Sequence, residues 1–174
     1  MDLKLRSDVM QAKDSNILYL ARNLVCTGSN YFDTGFAPFS SENINKDFKI
    51  TIRFNSITFK NKQDVFLGCK YEGKLNNLDY PGIYIRRRNT YNDIEIGGYN
   101  YYNPALNVVL NHNVQIWRSG TTWKAIIDGQ TERTLSVRST TFNQNILLGA
   151  GEQTNGVKFR NGTCNIDYVR IEYI

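Results

Sequence analysis

Val114–Val137, VQIWRSGTTWKAIIDGQTERTLSV, reads as three short strands joined by two tight turns. Ser119-Gly120 marks the first turn and Asp128-Gly129 the second. Asp-Gly suits a two-residue β-turn because its centre needs positive φ, which a residue without Cβ adopts at no steric cost. Each flanking segment carries β-branched or aromatic residues at close to alternate positions, the period of a half-buried strand.

Outward from this stretch the β signals continue. Asp47–Asn55, DFKITIRFN, alternates: Phe48, Ile50, Ile52 and Phe54 point one way, Lys49, Thr51 and Arg53 the other. One face is expected in a core and the other in water. Further strands are expected at Asp64–Cys69, Gly82–Arg87, Asp93–Gly97, Asn107–Leu110, Asn145–Gly149 and Thr163–Ile174. In the last of these Val169, Ile171 and Tyr173 share a face. Many short strands punctuated by turns predict an all-β, antiparallel sandwich or barrel. Asn16–Val25 is apolar and fits a strand or, through Ile17, Leu20, Ala21 and Leu24, a helix; a run this short leaves both open. Met1–Ser15 is polar, mixed in charge and suited to docking.

The chain has 174 residues, enough for one domain with a core that needs no disulfide support. Mean hydropathy is −0.45, and no apolar run approaches the roughly 20 residues of a membrane helix. A net charge of +5 is a weak pointer to acidic partners, and the basic residues are scattered apart from Arg86-Arg87-Arg88. Nucleic acid is therefore the weakest partner class, since nothing beyond the charge and that run supports it. The three cysteines, Cys26, Cys69 and Cys164, lie in apolar segments and make an odd number, which argues against a disulfide framework. With no apolar signal core at the N-terminus, synthesis and folding in a cytoplasm are expected, and Asn161-Gly162-Thr163 reads as a turn.

The residues of catalysis are sparse. His112 is the only histidine and is expected as a polar turn residue in LNHN. There is no GxSxG elbow, HExxH helix, CxxC pair or phosphate-cradling loop. Asp93 and Glu95 share one face of a strand, but a glycosidase needs two carboxyls spanning a sugar bond. A solvated strand face is expected to account for the pair. Asp33, Asp64, Asp128 and Asp167 fall at strand ends or turns without a dense DxDxDG loop, so no cofactor and no obligatory metal are expected. Recognition is expected at Gly97–Leu106, GGYNYYNPAL. Tyr99, Tyr101 and Tyr102 offer flat faces for the C–H side of a sugar, Asn100 and Asn103 offer amides for its hydroxyls, and Arg86 and Arg88 add charge. Trp117 and Trp123 are expected to pack across their hairpin.

Three pieces in order carry a resemblance: CTGSNYFDTGF at Cys26–Phe36, WKAIIDG at Trp123–Gly129 and FRNGTCNIDYVRIEYI at Phe159–Ile174. Together they resemble laminin-G-like domains of the concanavalin A-like lectin/glucanase superfamily, of the kind found in bacteriophage structural proteins. The resemblance implies a two-sheet jelly roll over about residues 24–174, with residues 1–23 as an N-terminal arm. Glucanase relatives carry Glu-x-Asp-x-x-Glu on a strand; here the first pair is reversed, and Gly98 stands where a third acid would follow Glu95. The leading expectation is a non-enzymatic virion protein, decorating a capsid or forming part of a tail or fibre. Its arm would meet other virion proteins, and its surface would display lectin-like recognition of host or mucosal glycans. It would have no membrane contact and could form a homo-oligomer. The alternative is a carbohydrate-binding module of a bacterial surface protein or secreted enzyme. A hydrolase with a degenerate site is a third reading.

Overall fold

A computed structural model describes residues 15–60, 64–71, 73–79, 81–87, 94–97, 110–152, 158–159 and 161–174. Every regular element among them is a strand. In chain order these are β1 (Ile17–Thr27), β2 (Phe32–Asp33), β3 (Phe48–Thr58), β4 (Val65–Lys70), β5 (Lys74–Leu75), β6 (Leu78–Asp79), β7 (Gly82–Arg87) and β8 (Ile94–Gly97). They continue with β9 (Leu110–Ser119), β10 (Thr122–Ile127), β11 (Arg133–Leu135), β12 (Leu147–Leu148), β13 (Gly151–Glu152), β14 (Lys158–Phe159) and β15 (Thr163–Tyr173).

Two antiparallel sheets form the sandwich. One has six strands in the order β1-β15-β3-β9-β10-β11, and the other five in the order β2-β12-β4-β7-β8. Of the sandwich and barrel left open by the strand pattern, the chain forms the sandwich, and this is the all-β, two-sheet jelly roll that the resemblance implies. The alternation in β3 is realised: Phe48, Ile50, Ile52 and Phe54 are fully buried, and Lys49, Thr51 and Arg53 turn outward. From the facing sheet, Phe66, Leu67, Cys69, Ile83, Ile85, Ile94 and Ile96 enter the same core. At one end the core is aromatic. Phe39 stacks on Trp123 at 5.4 Å and on Phe142 at 4.8 Å, while Phe48 meets Trp123 edge-on at 5.4 Å. Trp123 thus fills the core, whereas Trp117, six positions back and opposite in facing, is half-buried on the outer side.

The turns of the deciding stretch have identifiable types. Ser119 pairs with Thr122, so the central residues of the first turn are Gly120-Thr121, one position later than the sequence suggested. Gly120 has φ +61°, as the first central residue of a II′ turn requires. Asp128 (φ +49°) and Gly129 (φ +70°) are both left-handed, the signature of type I′.

Asn16–Val25, open between helix and strand, resolves into most of β1, which pairs along its length with β15. Residues 17–23, grouped with the arm in the sequence reading, therefore belong to the six-stranded sheet. The reason is register: β15 has apolar residues to cover on its free side, and Ala21 and Leu24 meet Val169 and Ile166 there. Residues 1–14 lie outside the described residues. The expected strand at Asn107–Leu110 is described only at Leu110, where it opens β9 and runs unbroken to Ser119.

Candidate functional site

Tyr84 and Arg86 lie two apart on β7, alternating with Ile83 and Ile85, which face the core. Period two therefore sends Tyr84 and Arg86 to the outer face of the five-stranded sheet. The neighbouring strands add to that face in register: Gly68 and Gly97 flank Tyr84, and Glu95 lies opposite Arg86. Lys70, at the end of β4, reaches in from the side.

These side chains form one cluster. The Lys70 ammonium sits 4.3 Å from the centre of the Tyr84 ring and the Arg86 guanidinium 4.5 Å from it. Cations are drawn to the electron-rich ring face, so the tyrosine holds two like charges near each other. Arg86 Nε donates to Glu95 Oε2 at 2.8 Å, and the Tyr84 hydroxyl donates to the same oxygen at 3.5 Å. The Glu95 side chain is 1% exposed and that of Arg86 19%. Glu95 is therefore not the solvated residue expected from the Asp93/Glu95 pair. It is a buried counter-ion, because β8 sits beside β7 and brings the carboxylate onto the guanidinium.

The expected site is described only in part. Arg86 lies in the cluster, while Arg88, Tyr99, Asn100, Tyr101, Tyr102 and Asn103, and also Asp93, lie outside the described residues. The chain enters that stretch from Gly97, the partner of Tyr84. Lys70 and Tyr84 escaped the sequence reading, and Glu95 entered it only as a solvated residue. One signal for them was present: Glu95 is an acid set between Ile94 and Ile96, and Tyr84 shares the parity of Arg86.

Other polar groups have structural partners. His112 is not in an exposed turn; it belongs to β9 and is 4% exposed. Its Nδ1 lies 2.8 Å from Asp128 Oδ2, and Asp128 Oδ1 accepts from the Asn113 amide at 2.7 Å. The histidine thus ties the β10–β11 turn to β9. Asp33 Oδ1 accepts from the Gly35 amide and from Asn145 Nδ2, each at 2.9 Å. Asp64 Oδ2 accepts from the Lys60 amide at 2.9 Å, and Asp167 faces Arg53 at 3.5 Å. Among the described residues, no three His, Cys, Asp or Glu side chains are grouped to hold a metal ion. No described helix is long and apolar enough to cross a membrane.

No protein-family model matches the chain, and no curated protein matches it. Solved structures do. The CBM40 of the Ruminococcus gnavus IT-sialidase, bound to α2,3-sialyllactose, superposes with a TM-score of 0.61 at 14% identity, covering 90% of this chain and 91% of that one. Trypanosoma rangeli sialidase gives a TM-score of 0.59 at 14% identity over 90% of this chain but only 26% of the sialidase. Domains LG4-5 of the mouse laminin α1 chain give 0.54 at 18% identity, over 90% of this chain and 43% of that one. The superpositions show a shared two-sheet sandwich fold, and identities this low leave the site to be argued from this chain's own residues.

Proposed function

We propose that this chain is a non-catalytic carbohydrate-binding module that recognises an acidic glycan on the outer face of the five-stranded sheet. The observation that carries this reading is the pairing of Lys70 and Arg86 over one tyrosine ring, with Glu95 orienting the guanidinium. A planar guanidinium held by its Nε edge matches a carboxylate in two-point fashion, and an ammonium adds a point charge. The likeness to a module bound to sialyllactose supports a sugar ligand on this fold. Tyr99, Tyr101 and Tyr102, with Asn100 and Asn103, are proposed to cover the sugar ring and meet its hydroxyls, since the chain reaches them directly from Gly97 beside Tyr84.

The test is a glycan array probed with the purified chain, followed by titration of the best ligands. Glycans bearing a carboxylate are expected to bind in the millimolar-to-micromolar range and neutral ones not to. Arg86→Ala is expected to weaken binding at least tenfold while the circular dichroism spectrum is kept. Full affinity in that variant, or a preference for neutral glycans, would overturn the reading. Incubation with the same glycans is expected to release no product. Carriage of the module on a virion, the leading expectation from the sequence, is a separate proposal, tested by mass spectrometry of purified virions for this polypeptide.

A further inference from the structure

Cys26 and Cys164 are direct partners across the β1–β15 ladder. Both face the core and are 0% and 1% exposed. Their thiols are hydrogen-bonded; that bond, then burial, raises the Cys164 thiol well above its ordinary value. Gly149, at the end of β12, backs onto the pair: a Cβ there would lie 2.5 Å from Cys26 Sγ. Directly opposed residues of an antiparallel ladder have Cα atoms about 4.5–5.5 Å apart, inside the roughly 4.4–6.8 Å that a disulfide spans. Their Cβ atoms, at about 4.5–5.5 Å, need approach by no more than about an ångström. The third cysteine, Cys69, is on the opposite sheet and donates to the Gln144 carbonyl at 3.3 Å.

We propose that Cys26 and Cys164 are an oxidation site, converted by a low-molecular-weight disulfide such as oxidised glutathione into a cross-strand bridge between β1 and β15. Access comes through β1, the edge strand of its sheet, which can open without breaking any other ladder. One opened cysteine loses its proton, and the thiolate attacks a glutathione sulfur. A mixed disulfide forms and one glutathione leaves as thiolate. The second cysteine thiolate attacks the protein-side sulfur and expels the other glutathione. Two protein thiols are oxidised by two electrons, and one glutathione disulfide is reduced to two thiols. The two protons released by the cysteines end on those leaving groups. The bridge closes a loop containing most of the chain, the case in which restriction of the unfolded state is large.

The native full-length chain is incubated with oxidised glutathione, denatured, alkylated and weighed, and its peptides are mapped. The expected product has lost two of its three thiols, so it takes up one alkyl group where the untreated chain takes up three, and it yields one Cys26–Cys164 linked peptide. Its thermal midpoint is expected to rise by roughly 10 °C and to return on treatment with dithiothreitol. Cys69→Ser should behave in the same way, and Cys26→Ser should form no intramolecular bridge. Three surviving thiols, a persistent glutathione adduct or a bridge through Cys69 would overturn the proposal. The wild-type chain carries the deciding measurement, so a variant that fails to fold does not obscure it.

Discussion

Arg118 shows how much one side chain can hold. It is 2% exposed, yet it carries a guanidinium. The group donates to the carbonyls of Asn43 at 2.7 Å and Ile44 at 2.5 Å, and to that of Lys46, while lying over the rings of Phe48 and Trp123. Burial lowers its pKa and the Asp47 charge partly offsets this. The planar fork reaches these carbonyls from two nitrogens held in fixed positions, whereas an ammonium would have to reach all of them from a single atom. Arg118→Met should therefore destabilise the chain by about 3 kcal/mol through the carbonyls left unpaired, and Arg118→Lys should recover less than half of that. Urea unfolding midpoints read both. Glu95→Gln is a second test at this scale. It leaves Arg86 with a neutral partner in a largely buried place and should cost about 2 kcal/mol, in contrast to a solvated glutamate, whose loss would be silent.

At the level of elements, β15 holds the six-stranded sheet together. It is laddered to β1 on one side and to β3 on the other, and Ile166, Val169 and Ile171 are buried from it. Removing Asp167–Ile174 would take most of its ladder from β1 and leave the edge of β3 unpaired. The truncated chain is expected to lack a cooperative thermal transition; a sharp melt in calorimetry would refute this. β7 depends on its first residue. Gly82 has φ +115°, and a Cβ there would lie 2.3 Å from the Cys69 carbonyl oxygen. Gly82→Ala combines backbone strain with a clash against main chain, so a loss of roughly 3 kcal/mol or more is expected in the same urea experiment. Since β7 carries Tyr84 and Arg86, this variant should also weaken glycan binding.

For the molecule as a whole, the two sheets divide the work. The six-stranded sheet carries the long ladders, and ion pairs such as Lys124–Glu132 and Arg170–Glu172 lie on it. The five-stranded sheet has shorter strands and places the Lys70–Tyr84–Arg86–Glu95 cluster on its outer face. Binding of an acidic glycan there should weaken as salt rises, because the partly exposed Arg86 and Lys70 charges are screened. A titration between low and physiological ionic strength checks this, and an affinity indifferent to salt would point to a neutral epitope.

The sequence by itself determined the class of fold, because binary alternation and turn chemistry are local. DFKITIRFN could bury only one face, and Asp128-Gly129 could make only a tight turn. It also marked Arg86 as a candidate, through the Arg86-Arg87-Arg88 run. Only the tertiary structure decided that Asn16–Val25 is a strand, since a short apolar run takes the form its partner offers, and here the partner is β15. The partners of Glu95, His112 and Arg118 were likewise invisible along the chain. A carboxylate between two isoleucines is solvated or buried according to which strand lies beside it, and strand order is set by packing between residues distant in sequence. The thiol pair follows the same rule: Cys26 and Cys164 stand near opposite ends of the chain, and the register of its first and last strands makes them neighbours.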